Sequence, residues 1–582
     1  MTTQYPFEIL QSLWNQLYGT RNPSLLKNFL QELEDKKTHC KLSPQPDEWY
    51  KEAIIYSLYV DLFSNDFHEL SGKLDYLADL GVNCLWLLPI LDSPMRDAGF
   101  DIRDYYQIRP DLTGLPLHAS KEDKLLVFRS FVSKANEKGI RVIFDIAMNH
   151  TSDQNPWFTE ASKSEDNPYR NYYIWSKDTN LYREARLLFK GMVPSNWEKR
   201  GDWYFFHRFF EFQPDLNYRN PEVLVEMSKV LIFWMSQGVN GFRADAIPYL
   251  WKEEGTDCEN LPNTHVIVKF FRAVLDYFRP NTLLLAEACQ KPVEVVKYFG
   301  SGDECNAGYH FPLMPQMFKA VAAQSAEPVM KTLSRAVTPG IPGNAQWFTF
   351  LRCHDELSLE LVYVSEEDRA FIHTQYCHQP EWDFRIGEGI SARLAELMNR
   401  DERKILLAFS IMLSLPGSPV IYYGDEFGKL NDNEYYTEQI KLTGKNDTRF
   451  LVRGRIDWHW LEKELQNEKS LSYKVYKGLS ELLKIRKNHT CFGKGSLQWL
   501  SDIHPESTIP EQVLAFCRKF ENETILCLHN LSDKEQHILL PVPGTPLLSH
   551  HELKVLDDLK NPVDPEDLTL QLKPYNYQWL RL

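Results

Sequence analysis

Three carboxylates, each at the end of a short apolar run, constrain the fold of this chain more than any other feature. Asp245 lies in VNGFRADAIPYL, Glu287 ends LLLAE, and Asp355 follows WFTFLRCH. Each run has the length and composition of a strand that is covered on both faces. An ionised acid at the end of a buried strand is costly as packing. Catalytic groups do gather in this way at the carboxyl ends of the strands in a parallel barrel.

Strand and helix signals alternate eight times along the chain, which predicts an α/β fold with a (β/α)8 TIM barrel. The eight strand candidates, in order, are AIIYSLYVD, VNCLWLLPI, IRVIFDIAMNH, VNGFRADAI, TLLLAEA, AGYHFPL, WFTFLRCHD and SPVIYYGDE. Amphipathic stretches such as EDKLLVFRSFVSKANEKG separate most of them, and their apolar residues recur at helical spacing.

The pattern breaks in three places, and these breaks predict the domain organisation. An irregular, aromatic-rich insertion follows the third strand, and an insertion of that length is usually functional. Short alternating strands near the C-terminus predict an antiparallel β-sandwich. We therefore predict a helical extension at residues 1–48, the first part of the barrel at 49–150 and an inserted domain at 151–214. The second part of the barrel follows at 215–485, and a β domain at 486–582.

Composition excludes several classes of partner. The net charge of −15 argues against nucleic acid or an anionic membrane as the main partner. No run approaches the roughly 20 apolar residues of a membrane span, and no secretory signal is visible at the N-terminus. The ten cysteines form no CxxC pair, and Cys84, Cys289 and Cys353 fall inside predicted strands, which favours buried thiols. We therefore expect a cytoplasmic setting.

Clustered carboxylates suit the cleavage of a glycosidic bond with retention of configuration. Asp245 is the predicted nucleophile, because Arg243 shares its strand face and can hold the carboxylate ionised. Glu287 is the predicted acid, because its neighbours are alanines and an apolar pocket would keep it protonated. Asp355, which follows His354, is predicted to stabilise the transition state.

Five motifs resemble the sequence regions of the α-amylase superfamily (glycoside hydrolase family 13): DAGFD, DIAMNH, GFRADA, LLAE and LRCHDE. The resemblance covers residues 49–460 and implies the same three roles for Asp245, Glu287 and Asp355. It also implies that the reacting glucose is bound by six residues, which are Asp97, Phe100, His150, Arg243, His354 and Arg453.

Within the superfamily, stretches such as EWYKEAIIYSLYV and QPDLNYRNPEV resemble trehalose synthases, which implies the interconversion of maltose and trehalose through a glucosyl-enzyme intermediate. Three departures keep the substrate open. Phe100 replaces the usual tyrosine, Cys353 replaces an asparagine, and DTRFLVRGRIDW is similar to the equivalent segment of amylosucrases. A sucrose-acting glucosyltransferase or hydrolase and an α-glucosidase therefore remain alternatives.

The remaining expectations concern ligands and partners. The first βα loop, SNDFHELSG, lacks the Asp/Asn/Gly-rich pattern of a calcium loop, so we expect no cofactor. The expected partners are small α-glucosides, namely maltose, trehalose or sucrose. The sequence does not decide whether the chain forms a homo-oligomer. A non-catalytic binding protein would be expected to lack at least one of the three carboxylates, and all three are present.

Overall fold

A closed barrel of eight parallel strands forms the centre of the computed structural model, which describes residues 4–189, 191–503, 505, 509–539, 554–555 and 569–582. Each strand pairs with its neighbours in chain order, and the eighth pairs with the first. The predicted TIM barrel is therefore confirmed. The strands are β1 Ile55–Leu58, β2 Cys84–Leu87, β3 Arg141–Ala147, β4 Gly241–Asp245, β5 Leu283–Ala286, β6 Ala307–Tyr309, β7 Gln346–Phe350 and β8 Ser418–Tyr422.

A helical layer surrounds the barrel. Several of these helices are capped at their start by a side chain that accepts a hydrogen bond from a backbone N–H of the first turn. The Asn220 side chain, for example, accepts from Glu222 N at 3.1 Å. Their apolar faces pack on the strands, which are buried along their whole length. The surrounding helices are Phe67–Gly72, Leu74–Leu80, Lys121–Glu137, Pro221–Ser236, Pro262–Phe278, Pro292–Val295, Leu313–Ala323, Glu327–Thr332, Glu402–Ser414 and Leu471–Asn488.

The N-terminal residues form two further helices, Gln4–Tyr18 and Pro23–His39, on the outside of this layer. Trp14 is 1% exposed, and its ring lies 6.5 Å from that of Phe270. The Tyr18 hydroxyl donates to the carbonyl oxygen of Tyr218 at 2.8 Å. The extension is thus packed against the barrel helices.

The insertion after β3 has more regular structure than the sequence predicts. It contains helix Pro156–Ala161 and an antiparallel sheet of strands Trp175–Ser176, Trp197–Arg200 and Trp203–Phe206. These strands are two to four residues long, which is too short to show the alternation that identifies a strand in a sequence. The insertion closes where His150 pairs with Asp215.

The C-terminal domain is antiparallel, as predicted. Its two sheets share one buried apolar cluster, in which Cys517 and Leu528 of the larger sheet meet Ile538 and Leu572 of the smaller. The predicted strand QHILLPV is present at Gln536–Leu539, and its residues 540–542 lie outside the described residues. The larger sheet contains strands Ser496–Trp499, Val513–Phe520, Glu523–Asn530, Lys554–Val555 and Tyr577–Arg581. The smaller sheet contains Gln536–Leu539 and Thr569–Leu572.

The long loops at the carboxyl end of the barrel carry the remaining elements. The loop after β7 forms a small sheet of Leu357–Ser358, Asp383–Phe384 and Gly389–Ile390, and the loop after β2 forms a pair of Leu91–Asp92 and Asp104–Ile108. No helix in the described part of the chain is both long and apolar enough to cross a bilayer. The other helices are Val60–Phe63, Glu366–Tyr376, Leu394–Leu397, Asn433–Thr443, Trp458–Glu464, Cys491–Lys494 and Leu500–Ile503.

Candidate active site

The three acids that the sequence singles out meet in one cavity at the carboxyl end of the barrel. Asp245 ends β4, and Glu287 directly follows β5. Asp355 lies five residues beyond β7 and is not part of the strand, and its carbonyl oxygen accepts from Arg352 Nη2 at 2.8 Å. All three line a cavity of about 160 Å³.

Arg243 organises the carboxylates at the base of this cavity. Its side chain is 2% exposed, and its guanidinium contacts Asp145, Asp245 and Glu287. Nη1 lies 2.5 Å from Asp145 Oδ1 and 2.8 Å from Asp245 Oδ1, while Nη2 donates to Glu287 Oε1. Trp86 Nε1 donates to the other oxygen of Asp145 at 2.8 Å. Burial alone would lower the pKa of Arg243, but the three carboxylates raise it well above its ordinary value.

The environment of Glu287 differs from the sequence prediction. The expected apolar pocket is wrong, because Arg243 contacts the carboxylate and Ala246 N approaches its other oxygen at 3.3 Å. Burial and the adjacent Glu287 carboxylate raise the pKa of Asp245 well above its ordinary value, against the effect of Arg243.

Asp355 has the opposite electrostatic environment. His354 Nε2 lies 3.1 Å from one of its oxygens, and Arg449 Nη1 and Arg453 Nη2 lie 3.2 and 3.0 Å from the other. Burial alone would raise the pKa of Asp355, but His354 and the two arginines hold it well below its ordinary value. These contacts therefore favour the ionised form of Asp355.

Arg449 is a site residue that the sequence analysis missed. Its guanidinium is held by Asp447, with Nη2 2.6 Å from Oδ2, and it reaches Asp355 at 3.2 Å and Asp97 at 3.9 Å. It lies in the segment Thr448–Val452, a 3₁₀-helix that Asp447 caps. A signal was present, since the D-x-R spacing in DTRFLVRG predicts a local ion pair of this kind.

The other predicted site residues line the same cavity. Gln213 Nε2 donates to Asp97 Oδ2 at 3.0 Å and lies 3.2 Å from His150 Nε2, so it joins two of them. The Phe100 ring stacks on His354 at 5.5 Å with an interplanar angle of 24°. Phe100 thus provides an aromatic wall without a hydroxyl group.

Two cysteines also line the cavity, which corrects their expected placement inside strands. Cys289 lies beyond the end of β5 and Cys353 beyond the end of β7, and both are partly exposed. Burial raises the pKa of the Cys353 thiol to about 12. Cys353, His354 and Asp355 are close enough to share a metal ion, but thiol and imidazole are not calcium ligands.

Lys252 connects the two ends of the insertion beside this site. Its ammonium lies 2.7 Å from Asn149 Oδ1 and 2.8 Å from Asp215 Oδ2, and both acceptors are fully buried. Since Asn149 precedes His150 and Asp215 pairs with it, the lysine also fixes the position of His150.

The outer half of the cavity combines aromatic and acidic side chains from the long loops. Burial raises the pKa of Glu356 to about 7, while Arg385 and Arg449 lower it. The loop residues that line this part of the cavity include Phe189, Phe311, Met314, Ser358, Glu360 and Arg385.

Comparison with protein families gives two matches. A model of the α-amylase catalytic domain matches residues 61–370, and a model of the maltogenic amylase C-terminal domain matches residues 507–579. The first match contains β2 to β7 and all three acids.

Individual proteins resemble the chain over most of its length. It is 39% identical over 530 residues to trehalose synthase/amylase from Mycobacterium tuberculosis, which covers 85% of this chain and 84% of the relative. It is 38% identical to trehalose synthase from Pimelobacter sp., with coverage of 85% and 89%. Among solved structures, α-amylase from H. orenii has the same fold, with a TM-score of 0.66, 24% identity and coverage of 91% and 99%.

Proposed function

Because the chain belongs to the α-amylase family of glycoside hydrolases, we propose that it is a retaining α-glucosyltransferase that interconverts maltose and trehalose. The single observation that carries the proposal is the shared contact of Arg243 with Asp245 and Glu287. Retaining enzymes hold their two carboxyl groups about 5–5.5 Å apart, whereas inverting enzymes leave room for a water molecule. Two carboxylates bound by one guanidinium fit the shorter spacing.

In the proposed reaction, Asp245 attacks the anomeric carbon of the terminal glucose while Glu287 gives its proton to the glycosidic oxygen. The bond to the second glucose breaks, and an ester forms between Asp245 and the first. Asp355, whose ionised form Arg449 and Arg453 favour, stabilises the positive charge that develops on the sugar ring.

The second half of the reaction decides the product. The released glucose turns so that its 1-hydroxyl faces the ester, Glu287 removes the proton, and the new bond forms as the ester breaks. Two inversions give net retention and yield trehalose. The names of the relatives support this substrate pair, since two of the proteins that the chain resembles are trehalose synthases.

A second candidate is action on sucrose, in which fructose would leave and glucose would be transferred. Phe100 and Arg449 favour it, because both lie at the reacting glucose and belong to the segments that depart from trehalose synthases. The ten free thiols suit a reducing compartment such as the cytoplasm for either activity.

Product analysis by chromatography separates these candidates. Purified enzyme is incubated with maltose, trehalose and sucrose in turn. We expect maltose and trehalose to interconvert with little free glucose. Release of fructose from sucrose, with no trehalose from maltose, would replace the proposal by the second candidate. Glu287→Gln and Asp245→Ala should each lower turnover by roughly 10³-fold or more with folding retained, and near-normal activity in either would contradict the roles.

A further inference from the structure

A stack of three phenylalanines from the insertion forms one wall above the cavity. The rings of Phe189 and Phe210 are 4.6 Å apart and those of Phe210 and Phe212 are 5.1 Å apart, each pair with an interplanar angle of 10°. All three are less than 10% exposed, and with Val193 they form a small core separate from that of the barrel.

Three cations from three different barrel loops surround this stack. The guanidinium carbon of Arg96, after β2, lies 4.3 Å from the centroid of Phe212, and that of Arg385, after β7, lies 4.4 Å from Phe189. Lys445, after β8, places Nζ 4.1 Å from Phe210 and 4.3 Å from Phe212. We name these six residues the cation–π clasp. The clasp joins the insertion to the loops after β2, β7 and β8.

Arg385 depends on this contact more than an ordinary arginine would. Its Nε is buried and has no hydrogen-bond partner among the described residues. It lies at the tip of a turn where Arg385 and Ile386 both have positive φ, 49° and 55°. That conformation is unfavourable for a β-branched residue such as Ile386. The Phe189 ring face is therefore a main support for the guanidinium in this strained turn.

The clasp also borders the reaction space directly. Phe189 and Arg385 both line the cavity that contains Asp245 and Glu287. A separation of the insertion from the loop after β7 would open the outer half of the cavity to water. A single cation–π contact contributes about 0.5–2 kcal/mol, which is strong enough to hold a wall in place and weak enough to release it in each turnover.

We infer that the cation–π clasp determines whether the glucosyl ester on Asp245 is captured by the retained glucose or by water. The inference rests on the proposed function and adds the feature that sets its product ratio. In both outcomes the ester bond breaks and the acceptor's proton passes to Glu287. The acceptor oxygen is the 1-hydroxyl of glucose when trehalose forms, and water when two molecules of free glucose result.

Lys445→Met tests the inference, because it removes the cation and keeps most of the stem. The initial rates of trehalose and free glucose formation from maltose are measured together. We expect the ratio of glucose to trehalose to rise roughly 2- to 10-fold, the equivalent of losing one such contact, while total consumption of maltose stays within about twofold. Lys445→Arg keeps a cation over the rings and should restore the ratio.

Lys177→Met is the matched control. Lys177 Nζ lies 3.7 Å from the Trp203 ring, and both residues belong to the insertion, as do their neighbours Glu165 and Arg170. This variant should leave the product ratio unchanged. An unchanged ratio in Lys445→Met, or an equal change in Lys177→Met, would overturn the inference.

Hydrogen exchange separates a failure of the clasp from a failure of the proposed function. Amides of residues 186–214 should exchange faster in Lys445→Met than in the wild-type protein or in Lys177→Met. If the wild-type protein forms no trehalose from maltose, the proposed function is wrong. The hydrogen-exchange rates alone then test whether the clasp holds the insertion. Equal exchange in all three proteins would show that no such clasp holds the insertion.

Discussion

Replacement of Lys252 by methionine should destabilise the protein, although Lys252 is not among the residues that line the cavity. The lysine ammonium lies 2.8 Å from Asp215 Oδ2, and the two side chains are 2% and 0% exposed. Methionine keeps the stem but leaves the Asp215 carboxylate buried without its cation. Removal of one partner of a buried ion pair costs about 3–5 kcal/mol. The second bond of the ammonium, to Asn149 Oδ1 at 2.7 Å, is lost as well.

Calorimetry or a thermal melt measures the loss. At about 2.1 cal/mol/K per residue, unfolding of 582 residues has an entropy of about 1.2 kcal/mol/K, so 4 kcal/mol lowers the Tm by about 3 °C. The double variant Lys252→Met with Asp215→Asn removes the uncompensated charge and should recover at least half of the loss.

An exposed ion pair supplies the control for this prediction. Lys474 lies 3.1 Å from Glu402, with side chains 43% and 37% exposed, so Lys474→Met should cost no more than about 1 kcal/mol. The reasoning is refuted if Lys252→Met melts within 1 °C of Lys474→Met, or if the double variant is no more stable than Lys252→Met.

Three further predictions follow from other buried acids and from Arg449. Burial raises the pKa of Glu426 to about 7, although Tyr56 and Tyr76 donate to it at 2.7 and 3.0 Å. Since this exceeds the value in the unfolded chain, its stabilising contribution is present at low pH and is lost as the pH rises through 7, by about 2–3 kcal/mol. Glu426→Gln should therefore show a flatter dependence of unfolding free energy on pH between 5 and 8 in denaturant titrations, and parallel curves would contradict this. Asp245→Asn should be inactive yet melt at or above the wild-type temperature, because the raised pKa of Asp245 marks a carboxylate that burial disfavours; a fall of more than 3 °C would count against it. Arg449→Gln removes a cation that contacts Asp355, so kcat/KM should fall about 10-fold or more and the acid limb of its pH profile should move to higher pH; a change below twofold in kcat/KM would exclude the role.

The sequence predicts the barrel and the placement of its acids because both depend on short-range patterns. An apolar run that is buried on both faces identifies a parallel strand, and eight such runs separated by helical stretches leave one architecture. Asp245 and Glu287 then fall at the same end of neighbouring strands, whatever the exact bounds of those strands are. Asp355 falls there too, although β7 ends five residues earlier than its apolar run suggests.

The environment of Glu287 was not predictable from the sequence, for a geometric reason. In the barrel, Arg243 pairs with Leu285, and Glu287 N donates to the carbonyl oxygen of Ala244 at 3.2 Å. This register places the guanidinium beside an acid that is 44 residues away in the chain. The sequence shows only that alanines flank Glu287, and adjacent residues on a strand point to opposite faces. The neighbours that contact its carboxylate, Arg243 and Ala246, lie on or directly after another strand.

The distinction between strand ends and loops also predicts which substitutions abolish the reaction and which change its acceptor. The three acids proposed to act on the reacting glucose lie at a strand end or within five residues of one. The residues proposed to surround the leaving group, such as Phe189, Glu356 and Arg385, come from two loops that meet only in the folded chain, the insertion after β3 and the loop after β7. Substitutions that stop all turnover should therefore cluster at β4, β5 and β7, and substitutions that exchange one acceptor for another should cluster in the loops after β3, β7 and β8. A change of acceptor caused by a strand-end residue would contradict this division, and it would place the choice of product within the catalytic acids themselves.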